Sequence, residues 1–254
     1  MRKIILIIVL ISVSFLFAEN EIWSNGTAKT LPKGRIEIGI FQPFRYGLNE
    51  TTELSTFLLA DLLIPNVTMK KSWNSHSGIE MTSEHSIIYP TPLLNLMARE
   101  GAGGILPNNS IIPEIIVYEN QLLFSYQISE NHTFTPKIGY SIAFVSGESD
   151  FPTLDLPLVY NRTFVYHNGA MFNFGFDFCG TIIPKLDYLI DFDKFMLDED
   201  YAEFSYEHKL LLIWKINRKF AISGGYKLAY SDFPSPNQRN ADFFPLIDFR
   251  MGFK

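Results

Sequence analysis

Carboxylates and amines recur at even spacings along several segments of the C-terminal half. They are Asp177, then Asp187 and Asp191, Glu203 and Glu207, Lys209 and Lys215, Lys219 and Lys227, and Asp248 with Arg250. Even spacing on a strand puts side chains on one face. Such a face has two uses. Left wet, it lines a route for small polar solutes and sets ion preference. Paired, it holds a narrow interior together, because buried charges need partners. Catalysis has weaker support. His208 has Ser205 three residues before it, and on a strand those two point to opposite faces, so no Ser–His dyad forms there. His76, His85, His132 and His167 fall at turns or strand ends, without metal-ligand spacing. The Gly101–Gly104 run lacks the Gly-Lys-Ser/Thr ending of a phosphate loop. The expectation is no catalytic residue, no metal site and no cofactor. Cys179 shares the polar face of its segment and reads as an inert buried thiol.

The elements that would position these charges show a period of two. Phe172, Phe174, Phe176 and Phe178 alternate with Asn173, Gly175 and Asp177. Near the C-terminus, Phe243, Pro245, Ile247, Phe249, Met251 and Phe253 alternate with Phe244, Leu246, Asp248, Arg250 and Gly252. Period two means β-strand. The chain divides into twelve such segments: Gly34–Gln42, Thr51–Asp61, Val67–Trp73, Gly78–Ile88, Glu114–Ile128, Thr133–Ser146, Leu158–Tyr166, Ala170–Ile182, Lys185–Phe195, Tyr201–Ile216, Lys219–Tyr230 and Phe243–Phe253. Arg45–Asn49 reads as the turn between the first two. The longest connection, Tyr89–Pro113, contains one or two helical turns at Pro92–Arg99. It reads as a constriction in the lumen, a cap on one mouth, or a surface loop.

Arg2 and Lys3, the apolar run Ile4–Phe17 and small Ala18 form a signal-peptide pattern over residues 1–18. Residues 19–254 then form one domain. A single cysteine excludes an intramolecular disulfide framework, so an exported β-protein of this size needs stability from elsewhere. Barrel closure and lipid burial supply it. A net charge of −6 and the lack of a basic block exclude a nucleic-acid partner. Aromatic residues make up 15% and gather on strand faces and ends, as an interfacial girdle requires. A soluble β-sandwich accounts for the alternation alone. Strands longer than ten residues and mixed charge on the polar faces favour a membrane barrel.

Two stretches carry a resemblance. The alternation ending in Phe253 resembles the C-terminal signal of bacterial outer-membrane barrels, with Lys254 as an added residue. Trp23-Ser24-Asn25-Gly26-Thr27-Ala28, Leu31-Pro32-Lys33-Gly34, Tyr46-Gly47-Leu48 and Glu53-Leu54 resemble the opening of uncharacterised outer-membrane barrels, some grouped as transporters and some with a phenol-degradation barrel family. The resemblance implies location in a bacterial outer membrane, contact with its lipid, and delivery to the barrel assembly machinery through the last strand. It transfers no catalytic residue.

The reading is therefore an all-β, antiparallel up-and-down transmembrane β-barrel of about twelve strands. Its expected role is passage of small polar solutes, with Asp177, Asp187, Asp191, Glu203, Glu207, Lys209, Lys215, Lys227, Asp248 and Arg250 lining the lumen. A closed barrel working through its loops is the alternative, and a lipid-acting barrel enzyme a weaker third.

Overall fold

A computed structural model describes residues 26–73, 75–100, 110–150, 169–196, 205–232 and 239–254. Twelve antiparallel strands close into a barrel, each pairing with its neighbours in the chain and the last with the first. They are β1 Ile36–Ile38, β2 Phe44–Asn49, β3 Thr52–Thr56, β4 Asn66–Ser72, β5 Ile79–Ile88, β6 Glu114–Ser129, β7 His132–Ser146, β8 Ala170–Ile183, β9 Leu186–Met196, β10 Ser205–Lys215, β11 Phe220–Asp232 and β12 Arg239–Phe253. Two short helices, α1 Leu58–Asp61 and α2 Thr91–Met97, lie in the connections after β3 and β5. Connections alternate between long ones at one end and turns of a few residues at the other.

Alternation places large apolar side chains outside. Phe172, Phe174, Ile222, Phe243, Ile247 and Phe249 are exposed there. Neighbouring aromatic rings form a row across five strands: Phe134 to Phe176 at 5.7 Å, Phe176 to Phe192 at 5.7 Å, Phe192 to Tyr206 at 6.2 Å and Tyr206 to Tyr230 at 4.9 Å. Such offset pairs stabilise the wall beyond the area they bury.

The count of twelve agrees with the sequence reading, but its members do not. The Arg45–Asn49 segment is not a turn; it belongs to β2, which pairs with β3 from Phe44↔Thr56 to Asn49↔Thr52. The reversal falls instead at Glu50–Thr51, where Asn49 Oδ1 accepts the Thr51 N–H at 2.9 Å. Gly47 suggested a turn but is small for another reason. A Cβ there would lie 2.2 Å from the Pro32 carbonyl oxygen. Expected strand Thr51–Asp61 stops at Thr56, because Asp61 draws the chain into a compact knot. Its carboxylate accepts from Thr56 Oγ1 at 2.6 Å and from Asn66 N at 3.0 Å and Nδ2 at 2.9 Å. Expected strand Leu158–Tyr166 and the signal-peptide segment 1–18 lie outside the described residues.

Beyond Ile38 the chain also leaves the ladder. β1 pairs with β12 through Ile36↔Phe253, Glu37↔Gly252 and Ile38↔Met251 alone. Above that, Asp248 takes over the ladder's role. Its carboxylate accepts the Ile40 N–H at 2.6 Å and the Phe41 N–H at 3.3 Å. A Cβ on Gly39 would meet Asp248 Oδ2 at 2.5 Å, so only glycine permits this approach.

Candidate functional site in the barrel lumen

The inward faces carry two apolar clusters, with charged side chains between and beside them. At the long-connection end Ile64, Ile88, Leu94, Ile115, Val117 and Met171 belong to one apolar cluster. Helix α2 is part of it: Leu94 is 1% exposed, and Thr91 Oγ1 accepts the Ile115 N–H at 2.8 Å and donates to the Pro113 carbonyl at 3.1 Å. Helix α2 of the Tyr89–Pro113 connection thus packs against the inner face of the wall at this end. At the short-turn end Cys179, Leu189, Leu211, Ile213, Ala221 and Leu246 form the second apolar cluster. Between them lies a charged layer around a cavity of about 310 Å³.

The charges of this layer are paired. Lys137 Nζ sits 3.2 Å from Asp177 Oδ1, 2.8 Å from Asp191 Oδ1 and 3.0 Å from Asp193 Oδ2. Lys209 meets the other Asp191 oxygen at 2.7 Å, and Lys227 meets Glu207 at 2.9 Å. On the opposite wall Arg45 bridges Glu53 at 2.6 Å and Glu37 at 3.3 Å, Arg35 joins Glu37 at 2.7 Å, and Lys70 joins Glu84 at 3.1 Å. Pairing of this closeness offsets the cost of removing each ion from water.

Of the lumen residues named from sequence, Asp177, Asp191, Glu207, Lys209 and Lys227 line the cavity. Asp187 and Lys215 form a separate pair at 2.8 Å, with Thr181 Oγ1 donating to Asp187 at 2.7 Å, toward the short-turn end. Asp248 latches the β1–β12 seam. Arg250 is buried on the inner face, its Nε donating to Ser223 Oγ at 3.2 Å. Glu203 lies outside the described residues. Lys219 stands exposed in the turn before β11, away from the lumen. Lys137 and Asp193 had the right strand period but were passed over. Arg45 was missed because its segment read as a turn, whereas Glu37 and Glu53 lie on expected strands Gly34–Gln42 and Thr51–Asp61 without being among the named lining residues.

His208 Nδ1 donates to the Asp191 carbonyl at 3.0 Å, and its Nε2 shares a hydrogen bond with Tyr226 Oη at 3.2 Å. Ser205 points the other way and donates to the Tyr230 carbonyl at 2.6 Å. Among the described residues, no group of three or more His, Cys, Asp or Glu is arranged to hold a metal ion.

No family model matches the chain, and no curated protein matches it. Solved structures are similar in outline. The outer membrane channel DcaP of Acinetobacter baumannii aligns over 85% of this chain and 62% of its own, at 9% identity and TM-score 0.43. The KdgM porin, solved in complex with disordered oligogalacturonate, aligns over 86% and 94%, at 8% identity and TM-score 0.41. OprD of Pseudomonas aeruginosa aligns over 92% and 65%, at 9% identity and TM-score 0.40. This chain therefore spans less than two thirds of DcaP. Likeness at this level carries no functional argument.

Proposed function

We propose that this protein is a bacterial outer-membrane barrel that passes small polar solutes and rests closed. One observation carries the reading. A closed wall, apolar and aromatic outside, surrounds a cavity of about 310 Å³ whose inner face is built from charged side chains. β5 to β12 each have at least ten residues, enough to cross a bilayer when tilted. Asp177, Asp191, Glu207, Lys209 and Lys227 are the selectivity lining in this reading. Export by the signal peptide and assembly through the strand ending at Phe253 belong to the same proposal. Pairing of the lining charges and the apolar clusters toward the two ends support a closed resting state.

The test is single-channel recording of the purified mature chain in a planar bilayer. Brief discrete openings are expected, with ion preference that changes in a Glu207→Gln variant. Correct insertion, checked by heat-modifiable gel mobility, without any opening would overturn the proposal. It would then favour the second reading, a sealed structural barrel working through its loops. The close pairing of the described lining charges is the observation on that side.

A further inference from the structure

The first described residues run across the lumen, not along its wall. Thr27, Ala28 and Leu31 are buried there before the chain turns at Gly34 and enters β1. This strap is gripped by side chains of the wall through its main chain. Lys70 Nζ donates to the Thr27 carbonyl at 2.6 Å, and Ser125 Oγ accepts the Ala28 N–H at 2.7 Å. Thr82 Oγ1 donates to the Ala28 carbonyl, and Glu53 Oε2 accepts the Leu31 N–H at 2.8 Å. Both polar atoms of the peptide bond joining Thr27 and Ala28 are thus bound. The strap's own side chains at Gly26, Thr27 and Ala28 are small or absent.

The four wall residues are between 0% and 3% exposed. Burying such groups is costly unless each has a partner. Three are also held by neighbours: Lys70 by Glu84 at 3.1 Å, Glu53 by Arg45 at 2.6 Å, and Ser125 by Thr135 at 2.8 Å. Their orientation does not depend on the strap. Together they present two donors for carbonyls and two acceptors for amides, in a pattern that reads main chain and ignores side chains.

We propose that Lys70, Thr82, Ser125 and Glu53 form a peptide-binding site, that the strap is its built-in occupant, and that short peptides of small residues compete for it. This rests on the reading of the barrel as a solute conduit and names the solute class. The chain supplies its own reporter. Cys179, its single cysteine, is buried with Sγ 3.9 Å from the Gly26 carbonyl oxygen.

The experiment uses the full mature chain refolded in detergent, with the strap weakened and the wall intact. Gly26→Val places a Cβ 2.4 Å from Leu189 Cδ1. Ala28→Pro removes the N–H bound by Ser125. The Gly26→Val/Ala28→Pro variant should react with a small water-soluble thiol reagent about tenfold faster at Cys179, the factor expected for losing one buried hydrogen bond. Tri-alanine, followed by calorimetry, should bind this variant about tenfold more tightly than the parent and slow the Cys179 reaction. Adding Lys70→Met should abolish that binding. An unchanged Cys179 rate would overturn the strap as a removable occupant. Faster reaction without tri-alanine binding would overturn the ligand class. Ala28→Pro alone is measured alongside, so misfolding of the double variant does not end the test. Neither readout involves conductance, so a silent bilayer would refute the conduit while leaving the site standing.

Discussion

Lys137 is the residue whose removal the lumen should tolerate least. One ammonium serves Asp177, Asp191 and Asp193, all within 3.2 Å. Each contact at about 3 Å is worth roughly 5 kcal/mol at an effective dielectric of about 20, before desolvation is subtracted. Lys137→Met removes all three attractions while keeping the stem's volume. Asp191 retains Lys209 at 2.7 Å. Asp177 and Asp193 lose their close cation, and Asp193 Oδ1 is already buried without a hydrogen-bond partner among the described residues. A broken buried pair leaves an uncompensated charge, so the expected loss is about 3–5 kcal/mol. Denaturant unfolding in lipid vesicles, read as a shift in midpoint at constant slope, measures it. The cause is separable from lost packing. Lys137→Met/Asp177→Asn/Asp193→Asn removes the stranded charges and should recover most of the stability. A loss below about 1 kcal/mol, the range of exposed pairs, would refute the buried-cluster reasoning. So would a triple variant no more stable than the single one.

Two further outcomes follow from the seam and the wall. Asp248→Ala removes both acceptors of the β1–β12 latch and should cost about 1–3 kcal/mol, seen as loss of the compact gel form at lower temperature. Adjacent glycines on β11 should respond in opposite ways. A Cβ on Gly225 would lie 1.8 Å from the Leu210 carbonyl oxygen, so Gly225→Ala should sharply lower refolding yield. The nearest atom to a Cβ on Gly224 is at 4.0 Å, so Gly224→Ala should change stability by less than about 0.5 kcal/mol.

Periodicity made the barrel legible where strands are long. From β6 to β12 the described strands follow the alternation closely, because one face meets charge and the other is apolar. It failed from β1 to β3, where side chains replace the ladder. Asp248 captures Ile40 and Phe41, and Asp61 captures Thr56 and Asn66, from positions distant or hidden in the sequence. The candidate site was legible to the same extent. Asp177, Asp191, Glu207, Lys209 and Lys227 were visible as one-faced charges. That they would meet Lys137 in one knot depends on cross-strand register, such as Asp177↔Asp191 and Asp191↔Lys209, which no single strand contains. The strap was invisible for a different reason. Its binding uses main-chain atoms, and those carry no residue signature.

The arrangement of charge and apolar clusters in the lumen constrains how a solute would pass on the proposed reading. Charge in the middle favours water and ions, whereas the apolar clusters toward each end do not. In the proposed closed state a route would require parts of both clusters to yield, and they are not attached alike. Five of the six residues in the short-turn cluster lie on β8 to β11, within long continuous ladders, and moving them means breaking strand pairing. The strap beside them has no such ladder. It is held by side-chain hydrogen bonds, each contributing about 0.5–1.5 kcal/mol net. At the other end α2 is likewise fixed by Thr91 and by apolar packing, not by pairing with a strand. On the proposed conduit reading, displacement of strap and helix inside a fixed wall is therefore the less costly way to open.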